Sequence, residues 1–409
     1  AVAASPLFLR AGVLFQPVVF DQLWWTLALY ALVRLGAGAS HDDLLDTAPR
    51  WWIVLGVACG VGLLTKFSLL FFGAALVAAI VIAPQRRILL TPWPWLAAVI
   101  AFAIGSPSIV GQIALGYPVV DQMQTLQGSQ LAHVSLWSFA AGQLHWGPGL
   151  LLGLIGALSL VTLRSLRAFR AVGWTCIGAF MLLLALHGKS YYIGPIYPTL
   201  FAAGAVAFER WPARSRGQWV LAMRAVAVVV LVAYACLALP LELPIFSKET
   251  TAAFVGKSGM ASAARTNQGT QLRLPQDYAD MLGWPELASA VAHVYDSLPP
   301  EKRAQVVLIG ENYGEAGAVE FYGPKLGLPR VVSAAGSYWF FGPGERPGTV
   351  VISLGVTRED LEKFYGTVTP AGRVLNDWGV PEEQDVSIYV GENPKATIQQ
   401  VWPSLAGRN

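Results

Sequence analysis

GVGLLTKFSLLFFGAALVAAIVIAPQRR, residues Gly60 to Arg87, carries charge at only two places. Lys66 interrupts it early, and Arg86 and Arg87 close it. A helix needs about 20 apolar residues to cross a bilayer, and about 17 can suffice. The runs Trp51–Leu64 and Phe67–Ala83 therefore read as two short spans, or as one helical hairpin broken at Thr65–Lys66. A lysine beside hydrocarbon is costly, and a functional reading of it calls for a partner. Basic residues near span ends mark the cytoplasmic side. Arg86 and Arg87 thus orient the pair and put Lys66 on the opposite face.

The same apolar density holds over roughly the first 240 residues. The chain has 409 residues, 55% hydrophobic and 13% charged, against about 25% charged in a soluble domain. Charge is sparse before about residue 240 and ordinary after it, which divides the chain into a transmembrane helical domain, 1–240, and an extracytoplasmic α/β domain, 241–409. The expected fold class is mainly α, a polytopic helix bundle of about eight spans followed by a small soluble α/β domain. A net charge of +3, dispersed as it is, argues against nucleic acid as a partner. Cys59, Cys176 and Cys236 sit inside apolar runs without metal-ligand spacing and read as small fillers. The opening AVAASPLFLRAG has neither an initiator methionine nor a basic n-region. It reads as a cut inside a hydrophobic segment, with residues expected upstream.

The eight expected spans are Phe20–Leu35, Trp51–Leu64, Phe67–Ala83, Trp93–Val110, Gly147–Leu163, Val172–Leu186, Tyr191–Phe208 and Trp219–Leu239. Their connections fall into two classes. One is basic: Arg34 and Arg50, Arg86 and Arg87, then Arg164, Arg167 and Arg170, then Arg210, Arg214 and Arg216. The other is nearly free of basic residues: Thr65–Lys66, the stretch Gln112–His145, and HGKSYY from His187. Strict alternation through eight spans satisfies the positive-inside rule at every loop. It predicts that Asp21, Lys66, the 112–145 stretch, Lys189 and everything after Pro240 share the extracytoplasmic side. A transporter would instead bury its charges near the midplane between repeats.

Each charge on that face also has a bland reading. Asp21, in FQPVVFDQLWWTLALY, would serve as a helix N-cap. Lys66 and Lys189 would snorkel to the headgroups. Two lysines and an aspartate gathered on a face otherwise almost empty of charge are harder to dismiss, and ammonium groups there can hold the phosphate of an anionic lipid. Tyr191, Tyr192, Tyr197, Trp24, Trp25, Trp51 and Trp52 fit an interfacial aromatic belt. His145 and His187 are candidate bases or metal ligands, but neither has a second histidine at ligand spacing. His41–Asp42–Asp43 falls on the cytoplasmic side by the same topology.

After Pro240 the pattern becomes mixed. Ala304–Gly310, Gly348–Gly355 and Asp385–Gly391 read as strands, while Pro285–Leu298 and Thr357–Phe364 have helical spacing. The prediction is a small sheet covered by helices. GENYGEAG, Gly310–Gly317, follows a strand and opens a helix, but its glycine spacing matches neither a dinucleotide fingerprint nor a P-loop. It reads better as a loop touching substrate through Glu311, Asn312, Tyr313 and Glu315. SYWFFGPG, Ser337–Gly344, is another such loop or a folded turn.

PVVFDQLWWTLALYALVRL, GVGLLTKFSLLFF and GKSYYIGPIYPTLFAAGA resemble successive motifs of the GT-C membrane glycosyltransferases. The resemblance is to glycosyltransferase family 39, alongside protein O-mannosyltransferases and aminoarabinose transferases. LPQDYADMLGWPELA and NYGEAGAVEFYG are similar to the periplasmic domain of bacterial members, so the likeness spans nearly the whole chain. It implies an inverting hexosyl or pentosyl transferase of the bacterial inner membrane. The donor would be a polyprenyl-phosphate sugar, used on the extracytoplasmic face, and the acceptor a lipid, glycan or protein. Relatives carry an acidic residue in a first outer loop that would lie upstream of Ala1, so the chain is expected to be incomplete for catalysis. Asp21 is similar in setting to the family's second aspartate and is the catalytic candidate. Lys66 matches the lysine of the leucine-leucine-threonine-lysine turn, and Lys189 the basic residue before the tyrosine-proline helix; both would bind the donor phosphate. Phe67 stands where many relatives have glycine, which bears on the geometry of Lys66. Tyr191, Tyr192, His187 and His145 are candidate substrate contacts. No organic cofactor is implied; some relatives use a divalent metal ion, whose ligands here are unknown.

Such chemistry suits these residue types. Sugar transfer passes through an oxocarbenium-like state in which a carboxylate deprotonates or positions the acceptor. Ammonium groups stabilise the growing charge on the departing lipid phosphate. Two other classes compete: a transporter or lipid flippase, which predicts an inverted repeat and midplane charges, and a non-catalytic anchor displaying the C-terminal domain for binding.

Overall fold

The computed structural model describes residues 1–38, 49–129, 131, 134–210, 218–266 and 268–406. His41–Asp42–Asp43, Arg214 and Arg216 lie outside the described residues. The chain divides into two compact units, Ala1–Phe246 and Ser247–Asn409.

The first unit is helical. Its helices are α1 (Pro6–Gly12), α2 (Pro17–Gly38), α3 (Pro49–Thr65), α4 (Leu69–Ile82), α5 (Trp93–Ala114), α6 (Pro118–Ser129), α7 (Leu136–Gly142), α8 (Gly149–Thr162), α9 (Arg170–Ala185), α10 (Tyr197–Arg210) and α11 (Gln218–Glu242). Among the described residues, four helical segments are long and apolar enough to cross a membrane: Pro17–Gly38, Trp93–Ala114, Arg164–Ala185 and Gln218–Glu242. The pair Leu136–Trp146 and Gly149–Thr162, bent by 107°, makes a fifth when counted as one span. The described residues thus give four or five full-length spans, and the expected eight are not all of spanning length. At 1.5 Å per residue, α4 with 14 residues and α10 with 14 fall short of the ~30 Å hydrocarbon core, while α3 with 17 stands at the lower limit.

The expected span Tyr191–Phe208 is two elements, a 3-10 segment Ser190–Ile196 followed by α10. The stretch 112–145 holds helices of its own, α6 and α7. Nor do α3 and α4 close on each other as a hairpin. α3 lies along α2 and α5, whereas α4 lies along α9.

Small residues permit that packing. A Cβ at Gly56 would meet the Ala97 carbonyl and one at Gly60 the Ile104 side chain, so α3 and α5 approach closely along a glycine face. Gly156 and Gly204 do the same for α8 and α10, each against the other helix's backbone. The belt reading fails for three of the aromatics. Trp25, Trp52 and Tyr197 are buried in the core, with Trp25 packed 5.0 Å from Phe72. Trp51 instead meets Tyr30 and stacks beneath the Arg34 guanidinium.

The second unit carries one sheet in the order β2-β1-β3-β5-β4, built from β1 (Val306–Gly310), β2 (Val331–Ser333), β3 (Val350–Leu354), β4 (Tyr365–Leu375) and β5 (Asp385–Pro394). β1 is parallel to both β2 and β3, with Leu308 opposite Val331 and Ile352. β5 returns antiparallel to β3 and to β4. Helices α12 (Lys248–Lys257), α13 (Gln276–Ala279), α14 (Trp284–Ser297), α15 (Pro300–Arg303), α16 (Tyr313–Tyr322), α17 (Arg358–Glu362) and α18 (Ile398–Val401) complete the unit. Strand alternation divides the core. Val306, Leu308, Ile352 and Ile388 pack under α14 and α16, whereas Val307 and Val332 pack under Ile398, Trp402 and Leu405 on the other face.

Candidate active site

Asp21 sits inside α2, four residues beyond Pro17, and is 1% exposed. It is therefore not the helix N-cap that its sequence setting suggested. Its Oδ1 accepts a 2.7 Å hydrogen bond from Ser68 Oγ, a residue 47 positions away. Ser68 stands at the N-cap of α4 but makes no side-chain cap bond there; its hydroxyl is turned to the carboxylate instead. The Trp25 indole, one turn along α2, leans toward the same carboxylate, although its N–H closes no hydrogen bond of normal geometry.

Lys66 follows α3 directly, its amide bonded to the Gly62 carbonyl. The ammonium lies over the Tyr192 ring at 4.1 Å and the Tyr191 ring at 5.7 Å, within the range in which a ring face attracts a cation. The two rings meet edge to face at 4.8 Å. Lys66 is also within electrostatic reach of Asp21, and Lys189 within reach of Lys66. The fold thus gathers Asp21, Lys66, Lys189, Tyr191 and Tyr192 from three separate stretches. Tyr191 and Tyr192 form an aromatic cover over Lys66.

HGKSYYIGP explains itself locally. α9 ends in a Schellman turn, with Gly188 N–H bonded to the Leu183 carbonyl and His187 N–H to that of Leu184. His187 occupies the left-handed position at φ 54°, normally a glycine's place, and its side chain is exposed. The turn releases Lys189 and the 3-10 segment toward Asp21. His145 is also exposed, and its Nδ1 lies 3.0 Å from its own turn's Gly142 carbonyl. Neither histidine joins the gathered residues.

Two residues that the sequence did not single out hold this arrangement. Ser68 orients Asp21, and its only signal was a hydroxyl two places after the lysine in TKFS. Gln143 is a buried hub. Its Nε2 donates to the carbonyls of Phe139 and Ser190, and its Oε1 accepts from Trp146 Nε1 and from Tyr197 Oη at 2.8 Å. No motif marked it.

One carboxylate, one hydroxyl and two ammoniums are not a donor set for a divalent ion. Among the described residues no three His, Cys, Asp or Glu side chains gather as metal ligands would.

In the second unit, Asn312 and Glu315 form a capping box at the start of α16. Asn312 Oδ1 accepts from Glu315 N–H, while the Glu315 carboxylate accepts from the amides of Glu311 and Asn312. Glu315 is 1% exposed. Burial, then the Glu383 carboxylate nearby, push it up to about 8 against the pull of those two amides. Glu311 and Tyr313 are exposed.

A multi-helix membrane unit with an internal carboxylate beside paired lysines, joined to a small sheet domain, defines an integral membrane protein with a polar site built between apolar helices. Residues 1–110 match the family described as dolichyl-phosphate-mannose-protein mannosyltransferase. That match supports a GT-C, glycosyltransferase family 39-like assignment and suggests membrane glycosyltransferase activity. No curated protein and no solved structure matches the chain.

Proposed function

We propose that the protein transfers a sugar from a polyprenyl-phosphate-linked donor to a lipid, glycan or protein acceptor on the extracytoplasmic side of a bacterial inner membrane. The observation that carries this reading is the convergence of Asp21, Ser68, Lys66 and Lys189 within the membrane unit. Asp21, held by Ser68, is the carboxylate that takes the acceptor's proton or fixes its hydroxyl for attack. Lys66 and Lys189 hold the donor phosphate and stabilise its charge as the glycosidic bond breaks. The aromatic cover of Tyr191 and Tyr192 keeps Lys66 in place without neutralising it, leaving its charge for the phosphate. The likeness of residues 1–110 to a family of dolichyl-phosphate-mannose-protein mannosyltransferases supports a lipid-phosphate sugar as donor.

Sidedness rests on the basic connections. With four or five full-length spans among the described residues, counting spans does not carry the alternation, and the segregation of arginines from Lys66 and Lys189 is what supports the outward placement.

The test is transfer by full-length protein in vesicles charged with a radiolabelled polyprenyl-phosphate sugar. Labelled acceptor should accumulate only when the donor is presented to the face bearing Lys66. Movement of the donor between leaflets with no sugar transferred would overturn the reading in favour of a flippase.

A further inference from the structure

The C-terminal unit contains a cavity that the transferase reading does not use. It is about 440 Å³, inside the 300–1,000 Å³ range of small-molecule sites. It lies where the three parallel strands end: Gly310 closes β1 and Glu311 follows it, Ala334 and Ala335 follow β2, and Val356 follows β3. With the order β2-β1-β3, the chain leaves β1 through α16 to one side and later crosses to the other. The carboxyl ends of β1 and β3 are therefore a topological switch point, the place where open α/β sheets bind ligands.

The interior is apolar. Ile309 and Val351 line it from the sheet, Leu361 and Phe364 from one side, Ile398 and Leu405 from the other. It occupies the gap between two separately packed clusters on that face, one under α18 and one beside α17.

The polar lining excludes an anion. In nucleotide-binding sheets the helix N-terminus at this point receives a phosphate. Here the Glu315 carboxylate already accepts from the amides of Glu311 and Asn312 at the start of α16. The ionisable lining residues are Glu311, Asp360 and Tyr365, with no lysine, arginine or histidine among them. Asp360 is paired with Lys363 and accepts from Thr357 Oγ1. Tyr365 Oη donates to the Gly348 carbonyl. That leaves the Glu311 carboxylate as the charge available to a ligand. Partial desolvation at the cavity edge and the charge of Asp360 push its pKa up, which a bound cation would offset.

We propose that this cavity binds a small amphiphilic amine, its apolar body over Ile309 and Val351 and its ammonium on Glu311. The site is independent of the transferase reading and stands or falls separately from it.

Three fluorinated probes of one shape test it by 19F NMR on full-length protein in lipid nanodiscs, with empty nanodiscs as reference: 4-fluorophenethylamine, 4-fluorophenethyl alcohol and 4-fluorophenylpropanoate. The amine is expected to bind saturably, the alcohol more weakly and the carboxylate not at all. Glu311→Gln, at an exposed position, should weaken the amine about tenfold, the loss of one charge-assisted contact. Val356→Trp should fill the cavity and abolish binding. No saturable binding of the amine above empty nanodiscs, equal binding of the carboxylate, or unchanged amine affinity in Glu311→Gln would each overturn the proposal.

Discussion

Asp21 and Ser68 meet across 47 residues through one 2.7 Å hydrogen bond on Oδ1, which in the proposed reading orients the carboxylate for an acceptor. Ser68→Ala leaves the carboxylate in place but unoriented. Transfer should fall about tenfold, the usual value of one such bond, with folding intact by gel filtration. Lys189→Ala should raise KM for the donor while leaving KM for the acceptor nearly unchanged. Equal loss for both substrates would count against a phosphate contact. Of this site, the charged residues were legible in the sequence because an isolated charge among apolar runs stands out. Ser68 and Gln143 were not, because a hydroxyl or an amide in a membrane sequence carries no such contrast. His187 stood out by the same contrast as a candidate base, metal ligand or substrate contact; the structure shows it at the left-handed position that ends α9.

At the level of elements, the α16 cap and the α8–α10 crossing make separate predictions. Glu315 is held up near 8, and Asp280 up to about 6, both chiefly by burial. A carboxyl raised in the folded state favours folding fully only below its ordinary pKa, and that contribution is lost as pH rises through the folded value. The melting temperature of the C-terminal unit should therefore fall between about pH 5 and about pH 8, and Glu315→Gln should flatten that slope. An unchanged slope would mean that Glu315 ionises as it does unfolded. At the crossing, Gly156 and Gly204 each face the other helix's backbone. Gly156→Leu should cost at least the ~1–3 kcal/mol typical of overpacking, read as lowered thermal stability in detergent. These close approaches were not legible, because a glycine in an apolar run reads equally well as a filler. The capping box, by contrast, was present in the sequence as Asn312 followed three places later by Glu315, although substrate contact was expected of it.

For the whole molecule, apolar runs located helices at each of the eight places expected, of which four or five are of spanning length among the described residues. Hydropathy marks a segment as apolar without fixing the length of its helix: α4 packs along α9 and still exposes Leu70, Val77, Val81 and Ile82, but holds only 14 helical residues. The chain divides into compact units at Phe246–Ser247, close to the change in charge density at about residue 240 from which two domains were expected. Sidedness is testable by single cysteines at Arg87 and at Glu345, labelled with an impermeant maleimide in intact cells. Only the second should react. The transferase account is tested at its core by single-turnover kinetics of full-length wild type and Asp21→Asn with a radiolabelled polyprenyl-phosphate sugar. It predicts that the variant binds the donor as wild type does and transfers about 10²-fold more slowly or worse, the usual loss for a general base. Transfer at the wild-type rate in Asp21→Asn would contradict it.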